Sequence, residues 1–147
     1  MPILPASMPA RTRNRADDAF DTSGLLCLIH RREAQYERAI SLYDDATTRV
    51  THSYVLGEFV SLAQARRVSR LAALDFSERL VNDNEIETIW VDETMHRRAL
   101  ALLRARPDKD YSLCDAVSFL LMRDRNITDA LTTDQHFEQE GFVRLLK

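Results

Sequence analysis

The chain has 147 residues, of which 45% are hydrophobic and 29% charged, with a net charge of −3 at pH 7. This composition predicts one soluble globular domain with its own core, and the net charge excludes a general attraction to nucleic acid. No apolar run approaches the ~20 residues of a membrane span. The two cysteines, Cys27 and Cys114, have neither a metal-binding nor a redox spacing, as expected for a protein of the reducing cytoplasm.

Strand-like and helix-like segments alternate along the chain. Residues 1–15 contain three prolines and three arginines without periodicity, so we expect a disordered arm ahead of one domain over residues 16–147. Predicted strands cover residues 16–20, 49–52, 87–91, 130–132 and 143–146. Predicted helices cover residues 35–43, 68–81 and 112–123, a segment capped by Ser53 with an apolar stripe to Ala63, and a segment capped by Asp92 that ends near Arg104. This order predicts a three-layer α/β/α sandwich with a mainly parallel central sheet.

Four acidic residues lie where a strand ends or a helix begins: Asp21, Glu58, Asp115 and Asp134. In an open parallel sheet the carboxyl ends of the strands meet at one crevice, so these side chains are expected to converge there. Carboxylates in one crevice repel each other unless a hard cation lies between them, and Mg²⁺ or Mn²⁺ prefers oxygen ligands. The pattern therefore predicts a metal site for phosphoryl chemistry.

Each acid also has a purely structural explanation. Asp21 and Asp115 suit helix N-termini, where backbone N–H groups and the helix dipole stabilise a carboxylate. Glu58 could form an ion pair with an arginine such as Arg66, and Asp134 suits an Asx turn. The four positions taken together favour the metal site.

Four segments resemble the PIN-domain nucleases, and most of all the VapC-type toxin ribonucleases of toxin–antitoxin pairs. Each segment is short, but their order and spacing together are fairly specific. The likeness extends over about residues 16–146. The segments are Asp21-Thr22-Ser23 with Leu25, residues 51–62 around Glu58, Ser112-Leu113-Cys114-Asp115-Ala116, and residues 131–137 followed by Gly141-Phe142.

The resemblance implies an endoribonuclease that depends on Mg²⁺ or Mn²⁺, forms a homodimer and pairs with a cognate antitoxin protein, and the low cysteine content predicts a cytoplasmic location. It implies that Asp21, Glu58, Asp115 and Asp134 are the catalytic and metal-binding residues. Hydroxyl groups of Ser23 and of Thr132 or Thr133 would support them.

Two features affect the match to the family pattern. Asp17 and Asp18 stand where PIN domains usually have an apolar first strand, which affects how Asp21 is positioned. Asp110 is close enough in sequence to compete with Asp115, although Ala116 after Asp115 matches the family and favours Asp115.

Arginine and tyrosine side chains near the acids are candidates for binding RNA. Arg66, Arg67 and Arg70 follow the Glu58 helix, and arginine binds phosphate bidentately. Tyr54 and Tyr111 could stack on bases. An ordinary solvated face is the alternative for the arginines, and core packing is the alternative for the tyrosines.

Two other function classes are alternatives. A response-regulator receiver domain has a similar sheet, but it needs a lysine near a late strand end, and Lys109 and Lys147 are not placed there. A PIN-like module that binds RNA or a partner without cutting is disfavoured because all four acids are present. None of the four histidines has a ligand spacing typical of zinc or metalloprotease motifs.

Overall fold

The computed structural model describes residues 17–147, so the predicted arm over residues 1–15 lies outside the described residues. The strands are β1 (Asp18–Phe20), β2 (Arg49–His52), β3 (Glu87–Ile89), β4 (Asp129–Leu131) and β5 (Val143–Arg144). The helices are α1 (Thr22–Ile29), α2 (Tyr36–Asp45), α3 (Ser53–Ala65), α4 (Arg70–Asn82), α5 (Glu93–Arg104), α6 (Leu113–Asp124) and α7 (His136–Gln139).

The five strands form one parallel sheet in the order β3-β2-β1-β4-β5. Successive strand residues point to opposite faces, and this alternation builds two cores. Phe20 and Leu131 pack with helices α1 to α4, whereas Ala19 and Ala130 pack with residues of α6 and α7 on the other face. The predicted three-layer α/β/α sandwich is therefore confirmed, and its sheet is entirely parallel.

Strand β1 lies at the centre of the sheet, with β2 on one side and β4 on the other. Its residues Asp18, Ala19 and Phe20 are all buried. The acidic start of this segment, a departure from the family pattern, therefore does not displace the strand, and Asp21 follows directly at its carboxyl end.

Helix α1 was not predicted from the sequence. Five of its consecutive residues, from Leu25 to Ile29, are buried, so the helix has no exposed polar face and shows no amphipathic period. Gly24 explains how closely α1 approaches β4, because a Cβ atom at this position would lie 1.9 Å from the carbonyl oxygen of Leu131. This contact places Asp21, the residue before α1, beside the end of β4.

The cap predicted for α3 was wrong. The N-cap is His52, whose Nδ1 accepts a hydrogen bond from the backbone N–H of Val55 at 3.4 Å. The Ser53 hydroxyl instead accepts from the backbone N–H of Val91, at 2.9 Å. Ser53 thus ties the start of α3 to the segment after β3, a partner 38 residues away that local sequence does not reveal.

The short helix α7 was also not predicted. It has only four residues, including buried Phe137. Strands β3 and β5 are shorter than expected and end at Ile89 and Arg144. Over residues 17–147 the structure contains no helix with the length and apolar character needed to cross a membrane.

Candidate active site

All four predicted acids line one pocket of about 790 Å³ at the carboxyl ends of β1 and β4. The N-termini of α1 and α6 contribute Asp21 and Asp115, α3 contributes Glu58, and the segment after β4 contributes Asp134. The parallel sheet thus brings together side chains up to 113 positions apart in the sequence. Their predicted convergence agrees with the structure, while their catalytic and metal-binding roles stay predictions.

Asp21 occupies the N-cap position of α1, but its side chain makes no capping hydrogen bond. Its Oδ2 instead accepts a hydrogen bond from Thr132 Oγ1 at 2.9 Å. The side chain is almost inaccessible, with a residue exposure of 6%. Burial, and then the negative charge of Asp115, raise the pKa of Asp21 to about 7. The purely structural explanation for Asp21 is therefore not supported.

A small hydroxyl network holds Asp21 in place. Ser23 Oγ lies 3.1 Å from Thr132 Oγ1 and 3.4 Å from Asp21 Oδ2. The backbone N–H of Thr133 donates to Ser23 Oγ, and that of Asp134 donates to Thr132 Oγ1, each at 3.0 Å. Ser23 and Thr132 therefore connect α1 to the chain after β4, in the supporting positions that the resemblance implied, and Thr133 takes part through its backbone.

Asp115 helps to cap helix α6 and also lines the pocket. In the capping box of α6, the Ser112 backbone N–H donates to Asp115 Oδ2 at 3.1 Å, and the Asp115 N–H donates to Ser112 Oγ at 3.0 Å. The same Oδ2 lies 3.1 Å from Nδ1 of His136. Burial raises the pKa of Asp115. The alternative Asp110 is exposed at the rim of the same pocket.

His136 is a site residue that the sequence reasoning missed. Its backbone N–H donates to Asp134 Oδ1 at 2.9 Å, in the Asx turn expected for Asp134, and its Nδ1 lies 3.4 Å from that oxygen. Asp115, Asp134 and His136 can each offer one ligand atom, and these three atoms lie within 4.8 Å of one another. The Asp-x-His spacing could have indicated His136, because the Asx turn brings the side chains of Asp134 and His136 close together.

Glu58 approaches the acids from α3. It is exposed, yet partial burial and the charge of Asp115 raise its pKa. The ion pair proposed as its structural alternative is absent from the described residues, since Arg66 Nη1 pairs with Glu33 Oε1 at 2.9 Å instead. Glu58 lies outside the three-residue ligand group but lines the same pocket.

The other RNA-binding candidates differ in position. Arg66 lines the pocket, whereas Arg67 and Arg70 are exposed and are not among its lining residues. Tyr111 is buried and packs edge-on against the rings of Phe119 and His136, so packing is the correct reading for this tyrosine. Its hydroxyl donates to Glu140 Oε2 at 3.0 Å.

Comparisons with known proteins agree with this architecture. The PIN domain family model matches residues 19–142. The chain belongs to the PIN-domain family. It is 30% identical over 126 residues to the 23S rRNA-specific endonuclease VapC20 of two Mycobacterium tuberculosis strains, CDC 1551 / Oshkosh and ATCC 25618 / H37Rv, and the match covers 85% of this chain and 95% of each relative.

A solved structure is also similar. The crystal structure of M. tuberculosis VapC20, described as a sarcin-ricin loop cleaving toxin, superposes with a TM-score of 0.79 at 26% identity. The superposition covers 86% of this chain and 97% of that one. The predicted VapC-type resemblance and the predicted enzyme class, an RNA-cleaving nuclease, are confirmed, and the receiver-domain alternative was wrong.

The residues of the pocket fit the divalent metal that PIN nucleases use. Carboxylate oxygens and an imidazole nitrogen are suitable donors for such a cation. Burial and then the charge of Asp115 raise the pKa of Asp21, and a cation would offset the second of these effects. VapC toxins in general act on RNA and pair with VapB antitoxins.

Proposed function

We propose that this protein is a Mg²⁺- or Mn²⁺-dependent endoribonuclease, the toxin of a toxin–antitoxin pair, and that it cleaves ribosomal RNA in the cytoplasm. The observation that carries the proposal is the convergence of Asp21, Glu58, Asp115 and Asp134 in one open pocket. The substrate class is supported by the relatives, which are named for 23S rRNA and the sarcin-ricin loop.

Asp21, Asp115 and Asp134 would hold the metal ion, with Glu58 binding directly or through a water. A bound ion of this kind supplies Lewis-acid stabilisation of a phosphate and a water with a lowered pKa. Among the side chains, Thr132 holds the Asp21 carboxylate at 2.9 Å. His136 Nδ1 lies between the carboxylates of Asp115 and Asp134, at 3.1 and 3.4 Å, and so orients both.

Arg66 is proposed to contact an RNA phosphate at the rim of the pocket. Its side chain is 52% exposed, it lines the pocket, and its Nη1 forms an ion pair with Glu33. An arginine presents several N–H donors to a phosphate, and the ion pair of Arg66 is with Glu33 and not with one of the four proposed metal ligands. Arg67 and Arg70 would serve more distant phosphates.

Exposed apolar side chains support binding to two proteins, an antitoxin and a second copy of this chain. Leu71, Leu74 and Val81 are exposed on α4, as expected for a face that receives an amphipathic antitoxin helix. Trp90 after β3 and Leu100 on α5 are also exposed apolar residues, which supports contact with another copy of this chain in a homodimer.

Purified protein should cleave an RNA stem–loop containing the sarcin–ricin sequence with Mg²⁺ or Mn²⁺, and EDTA should stop the reaction. Asp115→Asn should reduce cleavage to the level of the EDTA control, because it removes a carboxylate from the ligand group. Asp110→Asn is the matched control, since Asp110 is an exposed acid on the rim of the same pocket. Wild-type cleavage by Asp115→Asn and loss of cleavage by Asp110→Asn would reverse the assignment.

Expression without an antitoxin should slow the growth of a bacterial host, and Glu58→Gln should relieve this effect. The physical reason is that Glu58 completes the acidic set at the pocket. Growth curves, together with immunoblots showing equal soluble protein, measure the effect. Normal growth with abundant soluble wild-type protein would contradict the toxin assignment.

A further inference from the structure

Gly57 lies in the middle of α3, where glycine destabilises a helix relative to alanine. Apart from its chain neighbours and the backbone of its own helix, a Cβ atom built at this position meets no atom of residues 17–147 within 4 Å, so packing among these residues does not explain the glycine. Gly24 shows the contrast, since its Cβ would collide with the backbone of Leu131. Close approach of a ligand to the backbone is one of the reasons for which proteins use glycine.

Gly57 stands at the junction of two pockets. The acidic pocket and a second pocket of about 340 Å³ are both lined by Gly57 and Glu58. Residues four apart share a helix face, so one face of α3 runs from the second pocket to the acids. The second pocket is otherwise lined by Ser53, Tyr54, Leu113 and Cys114.

Tyr54, which is partly buried and packs against two core clusters, contributes an aromatic ring to the lining of the second pocket. The Tyr54 hydroxyl shares a hydrogen bond with Nδ1 of His96, and the two rings meet edge to face at 5.8 Å, so the tyrosine ring has a set orientation. Proteins hold unpaired RNA bases against aromatic rings and apolar side chains. A volume of about 340 Å³ is at the small end of ligand sites, which suits a single base.

We propose that RNA crosses α3 at Gly57, and that the second pocket holds the base of a nucleotide next to the cleaved bond. The inference rests on the proposed ribonuclease function and adds a specificity site to it. The missing side chain leaves room for the sugar–phosphate chain between the two pockets. Glycine at position 57 therefore allows the RNA to pass, although it makes the helix less stable.

The test separates stability from substrate binding. Gly57→Ala should raise the melting temperature by about 2–4 °C, because alanine is the better helix former. The same variant should lower kcat/KM for the RNA stem–loop by about tenfold, and Gly57→Leu should lower it further, because added carbon atoms fill the junction. Ala65→Leu is the control, since Ala65 is exposed on α3 and lines neither pocket.

Binding to the same fluorescein-labelled RNA is measured in EDTA by fluorescence anisotropy, so that the result does not require cleavage. Gly57→Leu should weaken binding, and Ala65→Leu should not. An abasic nucleotide beside the cleaved bond should weaken binding to the wild type, with little further effect in Gly57→Leu.

The outcomes distinguish this inference from the proposed function. If the wild type cleaves RNA and both Gly57 variants cleave and bind it equally well, the passage at Gly57 is refuted while the nuclease stands. If the wild type binds without cleaving and Gly57→Leu weakens binding, the passage stands and the nuclease fails. Absence of both binding and cleavage in the wild type would overturn both.

Discussion

Removing the charge of Asp21 should stabilise the metal-free protein at pH 8. Asp21 is 6% exposed, and burial, followed by the charge of Asp115, raises its pKa from 3.8 to about 7. The folded protein therefore binds this proton more tightly than the unfolded chain does. The stability that the proton provides is fully present below about pH 4 and is lost as the pH rises through about 7.

The magnitude follows from the two pKa values. At about 1.36 kcal/mol for each pKa unit, the ionised Asp21 costs the folded state at most about 4 kcal/mol at pH 8. Asp21→Asn removes this cost, but weakens the hydrogen bond from Thr132, which is worth about 0.5–1.5 kcal/mol. We therefore expect the variant to be more stable than the wild type by up to about 3 kcal/mol at pH 8, with a much smaller difference at pH 5.

Urea unfolding in EDTA at pH 5 and pH 8, followed by circular dichroism, measures the free energy of unfolding. Glu58 and Asp115 also have raised pKa values, so both proteins lose some stability at high pH, and the difference between them is the informative quantity. Glu78→Gln, at an exposed acid on α4, should follow the wild type. Equal losses in wild type and Asp21→Asn would refute the argument.

Three further perturbations test the metal site and its support. Mg²⁺ at a hundredfold excess over its dissociation constant should stabilise the wild type by about 2.7 kcal/mol in thermal melts, and Asp134→Asn distinctly less, whereas equal gains would exclude Asp134 as a ligand. Thr132→Val should lower RNA cleavage and cost about 1–3 kcal/mol in urea unfolding, because Asp21 loses its buried donor; unchanged cleavage would show that the hydroxyl is dispensable. Gly24→Ala should destabilise the protein by about 3 kcal/mol in urea, since its Cβ would lie 1.9 Å from the carbonyl oxygen of Leu131, and wild-type stability would contradict that close approach.

Local sequence predicted those features that depend on a few neighbouring residues. Asp92 and Ser112 cap α5 and α6 as expected, with backbone N–H groups three residues ahead donating to their side chains. The alternation of strands and helices predicted a parallel sheet, and a parallel sheet brings its carboxyl ends to one edge. The meeting of the four acids was therefore predictable from chain order.

Tertiary structure decided what the side chains of those acids do. The sequence predicted that Asp21 could cap a helix, but its side chain accepts a hydrogen bond from the hydroxyl of Thr132, 111 positions away. It likewise offered Arg66 as a partner for Glu58, but Arg66 pairs with Glu33. These side-chain pairings depend on which helices and strands pack together, and a local sequence pattern does not specify them.

Helix α1 and Gly57 also show the difference between what local sequence predicts and what tertiary structure decides. Helix α1 is buried between other elements and has no exposed polar face. A polar face is the feature by which sequence analysis identifies a surface helix. Gly24 and Gly57 are the same residue type in two helices, yet a Cβ atom at Gly24 would meet the backbone of a strand, whereas one at Gly57 would meet no other part of residues 17–147. Hydrogen bonds within one helical turn are encoded by adjacent residues, whereas burial and the space around a residue arise only when distant segments come together.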